Sequence, residues 1–518
     1  MSKEQFNPLK NFNHDLPASL VVFLVALPLC LGVALASGAP LFAGIIAGVV
    51  GGIVVGSFSG SALSVSGPAA GLTTIVLSSI TTMGSFEAFL TTVFLAGLIQ
   101  LALGLVKAGT IGNYFPSAVI KGMLAAIGII LVLKQIPHAV GYDKDFEGDE
   151  SFFQPDGENT FTEIVNAFNY LNLGAVIIFS LSILILIMWE RPIIKNHKFS
   201  TLLPAPLFVV LAGILLNLLF LNSFNSLVIN EEHLVSLPVA GDLTAFINQF
   251  ELPDFSVIQK KETWTIAFTI AIVASLESLL SIDAVDKLDP FKRTSPLSRE
   301  LKAQGIANML SGLIGGLPVT AVIVRSSANV AAGARTRTSA ITHGLLLLLT
   351  AFFIPTLLNK IPLASLAAIL LMVGYKLAKP SLIKSMYHKG KDQFIPFAVT
   401  IVAILLSDLL IGITIGILVG LFFVLKTNFH RALFSVNENG NYLIRLTKDV
   451  SFLNKALLRQ TFKDIPDGSN VIIDGARSAF IDQDILETIN DFRESASNRD
   501  ISVELKQTVS AYNSFFKL

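Results

Sequence analysis

Apolar runs of about 17 to 25 residues recur along this chain from Leu16 to Lys426. Coiled as an α-helix, a run of that length matches the hydrocarbon core of a bilayer. Fourteen segments, some of them short, lie near residues 16–37, 40–57, 68–80, 86–106, 115–134, 172–189, 203–222, 263–282, 301–314, 319–332, 338–358, 362–375, 394–409 and 411–426. The first is followed almost at once by further spans, with no small-residue cleavage site, so it reads as a span and not as a signal peptide. Only 14% of residues are charged, against about a quarter in soluble domains. The chain reads as an all-α polytopic membrane protein.

Short loops carrying Lys and Arg stay cytoplasmic, and under this count nearly all of them fall on one side. The other side receives two acidic stretches, residues 141–160 and the one holding Glu231, Glu232, Asp242, Glu251 and Asp254. The expectation is an inner-membrane protein with both termini cytoplasmic: residues 1–15 as a leading segment, 16–426 as the membrane domain, and 437–518 as a tail. Basic and acidic residues balance, so charge names no partner, and nucleic acid is not expected to be one. A single Cys30 excludes an intramolecular disulfide and a Cys-based metal site. His14, His138, His197, His343 and His430 fall singly at or near span ends, without metal-ligand spacing, and read as surface residues.

Two spans are interrupted. "SVSGPAAGLTT" (64–74) and "GGLPVTAVIVRSS" (315–327) place Gly and Pro at mid-span, and Pro68 and Pro318 lie 250 positions apart. The same shift lays the first span over residues 275 to 281, which suggests seven plus seven spans in an inverted repeat. Broken helices survive in a bilayer only where protein or a wet cavity covers the backbone, and transporters place them in corresponding positions of two halves. Pro suits the first turn of a helix. Pro68 and Pro318 are therefore read as starts of half-helices whose facing N-termini hold an anion. Ser66, Gly67, Pro68, Ala69, Ala70, Val319 and Thr320 form that cradle, with small side chains allowing close approach.

Glu277 sits inside a span, a costly position that marks function by default. Ser281 follows one turn later on the same face. A carboxylate with hydroxyls suits Na⁺ or a carried proton, and Thr320 adds a further oxygen to this expected cation site. Arg325 is the other intramembrane charge, balancing an anion or pairing with a carboxylate such as Glu277. Asp408 is read as interfacial. No Walker loop, dinucleotide fingerprint, HExxH or Ser-His pattern occurs, so an enzyme is not expected.

After Lys426 the pattern changes. "NYLIRLT", "NVIIDGA" and "ISVELKQ" read as strands, with helical spacing in "SFLNKALLRQTFKDI" and "DQDILETINDFRESASNRD" between them. That order predicts a small α/β domain.

The stretches "ALASGAPLFAGIIAGVVGGIV", "LSVSGPAAGLT" and "SRELKAQGIANMLSGLIGGLPVTAVIVRSSANVAAGARTRTSAITHG" resemble the SulP (sulfate permease, solute carrier family 26) anion transporters over nearly the whole chain. The tail resembles the STAS domain that follows the transporter there. The resemblance implies the seven-plus-seven fold, a core domain moving against a gate domain, and a homodimer. "VALPLCLGVALASG" and "SLESLLSIDAVDK" are most similar to bacterial Na⁺-dependent bicarbonate transporters, in which positions matching Glu277, Ser281 and Thr320 hold Na⁺. There the carboxylate is an Asp; Glu is one methylene longer, so proton coupling stays open. Leu29 stands where many relatives carry Gln, and Ala69 where several carry an aromatic. "FIDQDILETI" (480–489) replaces the Asp-Ser-Ser phosphorylation motif of regulatory STAS domains.

The expected function is secondary transport of a small inorganic anion, bicarbonate ahead of sulfate, driven by Na⁺ or H⁺ and without a cofactor. The alternatives are a sulfate/H⁺ symporter, an uncoupled anion exchanger, or a membrane sensor signalling through the tail.

Overall fold

The computed structural model describes residues 8–506 apart from 145–151, 153–158, 192–203, 238, 240, 241, 408, 432, 439, 447–449, 477 and 479. Asp408 and His197 thus lie outside the described residues. Each of the fourteen apolar segments is helical: α1 Pro8–Ala36, α2 Leu41–Phe58, α3 Ala70–Met83, α4 Phe86–Leu105, α5 Ser117–Val140, α6 Leu173–Trp189, α7 Ala205–Ser223, α8 Lys261–Leu288, α9 Leu297–Leu313, α10 Ile323–Ala331, α11 Thr338–Phe353, α12 Leu363–Leu377, α13 Lys391–Leu406 and α14 Leu409–Arg431. Shorter pieces such as Thr160–Ala167 and Leu243–Ile247 connect them.

The inverted repeat is visible in which helices touch. α4 packs on α8 and α9, and seven helices later α11 packs on α1 and α2. α5 packs on α13, and α12 on α6. Two groups result, α1–α4 with α8–α11 and α5–α7 with α12, α13 and the start of α14, where Gly416 faces Thr400 and Val119, matching the expected core and gate. Lipid chains are as apolar as Leu, so close packing between membrane helices needs small residues at the crossings. Gly97 of α4 faces Gly305 of α9, where a Cβ would lie 2.6 Å from the Gly305 carbonyl oxygen. Gly52 of α2 and Gly344 of α11 meet as closely, and Gly128 of α5 and Gly374 of α12 make the central crossing of the gate.

The chain divides into compact units Met1–Ile417 and Leu418–Leu518. In the second, β3 Leu433–Glu438, β4 Asn441–Leu446, β5 Asn470–Asp474 and β6 Ser502–Lys506 form one sheet in sequence order. The three strands read from the sequence are β4, β5 and β6, paired in parallel. β3 is additional, an antiparallel hairpin partner beginning at Leu433, ahead of residue 437. Parallel neighbours need crossover helices. These are α15 Lys455–Lys463 and α16 Gln483–Ala496, joined by a stack of Phe462 on Phe492 at 4.0 Å between ring centroids. Asp482, inside the altered motif, caps α16 by accepting from Asp484 N at 3.2 Å.

Candidate substrate site at the paired breaks

The two breaks meet as strands. β1 Ser66–Pro68 and β2 Val319–Ala321 pair antiparallel, Ser66 opposite Ala321, Gly67 opposite Thr320 and Pro68 opposite Val319. The expected helix starts at Pro68 and Pro318 are thereby corrected. Helix resumes only at Ala70 and Ile323. The cause is local: a residue before Pro is pushed to extended backbone, and β-branched Val319, Thr320 and Val322 favour strand. Val322 N donates to Val65 O at 3.0 Å. By alternation this puts Gly67 and Thr320 at a hydrogen-bonded position and Pro68 at a non-bonded one. There its missing N–H costs nothing.

Three-residue strands need outside support, and α8 and α9 supply it. Asn308 accepts from Val319 N at 2.6 Å and donates to Val319 O at 2.9 Å and to Gln100 Oε1 at 2.6 Å. Gln304 donates to Ser66 Oγ at 2.8 Å and to Glu300, which also accepts from Ser59 at 2.5 Å. Ser278 of α8 accepts from Ala321 N at 3.2 Å. Sequence reasoning did not single out Asn308, Gln304 or Ser278. The signal was there: Glu300, Gln304, Asn308 and Ser311 recur every turn of α9, and all are fully buried.

The sequence-predicted residues are brought together around this pair. Ser66, Gly67, Pro68, Ala69, Val319 and Thr320 are buried, and Ala70 is half-buried. Beside β1, α2 passes through a π turn at Gly51–Val55, and a Cβ on Gly51 would lie 2.4 Å from Ser66 O. Arg325, 1% exposed, lies in the first turn of α10 with its guanidinium against Gly67. A Cβ on Gly67 would fall 2.0 Å from Arg325 Nη1. Among the described residues no carboxylate lies within ion-pair distance of Arg325, and its Nε and Nη1 have no hydrogen-bond partner. The expected alternative of pairing with Glu277 is therefore not realised. An unpaired buried guanidinium is costly by several kcal/mol, and it adds a full charge to the positive end of α10. That combination attracts an anion. Thr320 Oγ1 likewise has no partner.

Glu277, 8% exposed, faces the first break too, farther along at Gly71. Its carboxylate oxygens lie 3.4 and 3.5 Å from where a Cβ on Gly71 would be, beside the first turn of α3. Ser281 is buried one turn along the same helix. Oxygen ligands of this kind suit a hard monovalent cation or a proton. A cavity of about 560 Å³ reaches α10 from the basic end of the bundle, lined by His14, Trp189, Ala328, Ala331, Ile369 and Lys376.

Two of the histidines read as surface are buried, a correction. His343 is fully buried in α11 with neither ring nitrogen hydrogen-bonded, its neighbourhood shared with Arg325. His138 ends α5 and bonds Asp143, whose other oxygen bonds His233 Nδ1 at 2.5 Å. His233 lies 90 residues beyond Asp143, so no spacing rule could join it to the pair. Burial alone would raise Asp143, but hydrogen bonds from His138 and His233 outweigh it and hold the carboxyl below its ordinary 3.8. The Asp143 bond raises His233 above 6.5 against its own burial. Asp143 thus stabilises the fold above its ordinary pKa, an effect lost as pH falls through the lowered value. His233 contributes fully below 6.5, and loses this as pH rises through its raised value. Melting temperature should therefore decline as pH rises past the raised His233 value, and Asp143→Asn should flatten that decline; parallel pH curves for the two proteins would refute the linkage.

The sequence matches the model of the Sulfate permease family over residues 12–400. A putative sulfate transporter, YvdB of Bacillus subtilis, is 30% identical over 420 residues, 81% of this chain and 74% of that protein. The bicarbonate transporter BicA of a Picosynechococcus strain is 25% identical over 419 residues, 79% of this chain and 69% of that protein. The murine Solute Carrier 26 family member A9 anion transporter, in an inward-facing state, shares the fold with a TM-score of 0.68. Identity to it is 16%, covering 95% of this chain and 85% of that one.

Proposed function

The chain belongs to the sulfate permease family of anion transporters, and from that premise we propose that it carries bicarbonate in preference to sulfate, coupled to Na⁺ or H⁺. The anion sits at the paired breaks against Arg325, the cation at Glu277 with Ser281 and Thr320, and the core moves against the gate. The observation that carries this reading is the guanidinium of Arg325. Buried against Gly67 with no carboxylate in ion-pair distance among the described residues, it balances a monovalent anion one for one. A sulfate dianion leaves one charge uncompensated beside it, and a bare charge in low dielectric costs several kcal/mol. The bicarbonate and sulfate transporters among its relatives bracket the same choice.

The cavity at the basic end supports an inward route for substrate, with that end cytoplasmic in the inner membrane. A homodimer is part of the proposal. Reconstitution into proteoliposomes tests it. Radiolabelled bicarbonate uptake should exceed sulfate uptake and rise with an inward Na⁺ or proton gradient. Sulfate uptake that exceeds bicarbonate uptake and ignores both gradients would sink it in favour of an uncoupled exchanger.

A further inference from the structure

A second cavity, of about 460 Å³, opens where α5 begins and α8 ends, at the basic end of the bundle. It is lined by Ser117, Lys121, Lys287, Lys292, Thr294 and Ser295, among others. Lys121, half-buried, lies against Lys389 and within Coulombic reach of Lys287 and Lys292. Like charges at such separation repel unless an anion lies between them. The carboxylates nearby are engaged. Asp283 pairs with Lys287 at 2.6 Å, and Asp286 accepts from Ser295 N and Oγ at 2.6 and 2.7 Å. Asp289 pairs with Arg293 at 2.7 Å. Among the described residues, Lys121, Lys292 and Lys389 have no acidic partner. Lys292 moreover holds left-handed backbone, φ +52°, which an L side chain adopts at a cost.

The helix Pro380–His388, just before Lys389, is amphipathic: Met386 is buried, while Ile383 and Tyr387 are exposed among Lys379, Lys384 and Lys391. Such a helix lies in the headgroup layer of a bilayer and gathers anionic lipid.

We propose that this cavity binds a phosphate-bearing anion through Lys121, Lys389 and Lys292, either a phospholipid headgroup or free phosphate. Because α5 belongs to the gate and α8 to the core, the bound anion bridges the two groups and biases their relative motion. Thermal melting of the purified full-length protein tests this without reference to transport. One arm adds inorganic phosphate in detergent; the other compares vesicles of phosphatidylcholine with and without phosphatidylglycerol. Stabilisation by either source, weakened roughly tenfold or more in half-saturating concentration by Lys121→Gln with Lys389→Gln, supports the site. A response in detergent assigns free phosphate, and a response confined to vesicles assigns the headgroup. Lys260→Gln, exposed at the opposite end of α8 and off the cavity, should respond as the unaltered protein does. No response to either source, an undiminished response in the double variant, or an equal loss in Lys260→Gln would overturn the proposal. If the double variant does not fold, Lys292→Gln is read by the same criteria.

Discussion

Glu277→Gln should abolish cation-driven uptake while leaving the protein folded and able to exchange anions without a gradient. Glutamine keeps the shape and an amide oxygen but removes the charge. Two unit charges about 4 Å apart attract by roughly 4 kcal/mol at the effective dielectric of a protein site, and 1.4 kcal/mol is tenfold in affinity. Cation affinity should therefore fall by roughly 10² to 10³, enough to disconnect uptake from a physiological gradient. The same variant separates the two coupling ions. If Na⁺ is the coupling ion, the unaltered protein responds to Na⁺ at fixed pH; if a proton is, it responds to pH at fixed Na⁺. Glutamine stops either response. Na⁺ or pH dependence persisting unchanged in the variant would remove Glu277 from the coupling mechanism.

The parts of this site that the sequence revealed are those that punctuate the chain. A Gly-Pro pair inside an apolar run is conspicuous, and so is a carboxylate or guanidinium there; hence Gly67, Pro68, Glu277 and Arg325 stood out. What could not be read was partnership across long separations. Three residues carry no strand periodicity, so the pairing of Gly67 with Thr320 was replaced by the commoner expectation of Pro at a helix start. Asn308 and Gln304 were hidden differently. They lie in a largely apolar segment, where a buried polar stripe is diluted by Ala, Leu and Gly around it. His138, Asp143 and His233 each looked solvated because each stands alone in its own loop or helix end. In the tail, "LFSVNE" follows a membrane helix so closely that β3 has no boundary of its own in the pattern. The tail's other strands were legible because each alternates or runs apolar between turn residues.

Gly67→Ala carries the second large effect, and its contrast with Gly51→Ala locates the anion. On Gly51 a new Cβ would meet backbone, the Ser66 carbonyl at 2.4 Å and Gly67 N at 2.7 Å. Backbone held in a strand cannot give way, so Gly51→Ala should lower the melting temperature before it says anything about transport. On Gly67 the new methyl meets a side chain, Arg325 Nη1 at 2.0 Å and Cζ at 2.9 Å. The guanidinium, the far end of a flexible side chain, can swing aside, and doing so takes it away from Gly67 and the break. A charge-assisted hydrogen bond is worth about 1.5 to 3 kcal/mol. Its loss should raise the KM for anion roughly 10- to 100-fold while the melting temperature stays close to that of the unaltered protein. An unchanged KM in a folded Gly67→Ala protein would mean that Arg325 does not hold the transported anion, and the charge balance favouring a monovalent substrate would fall with it.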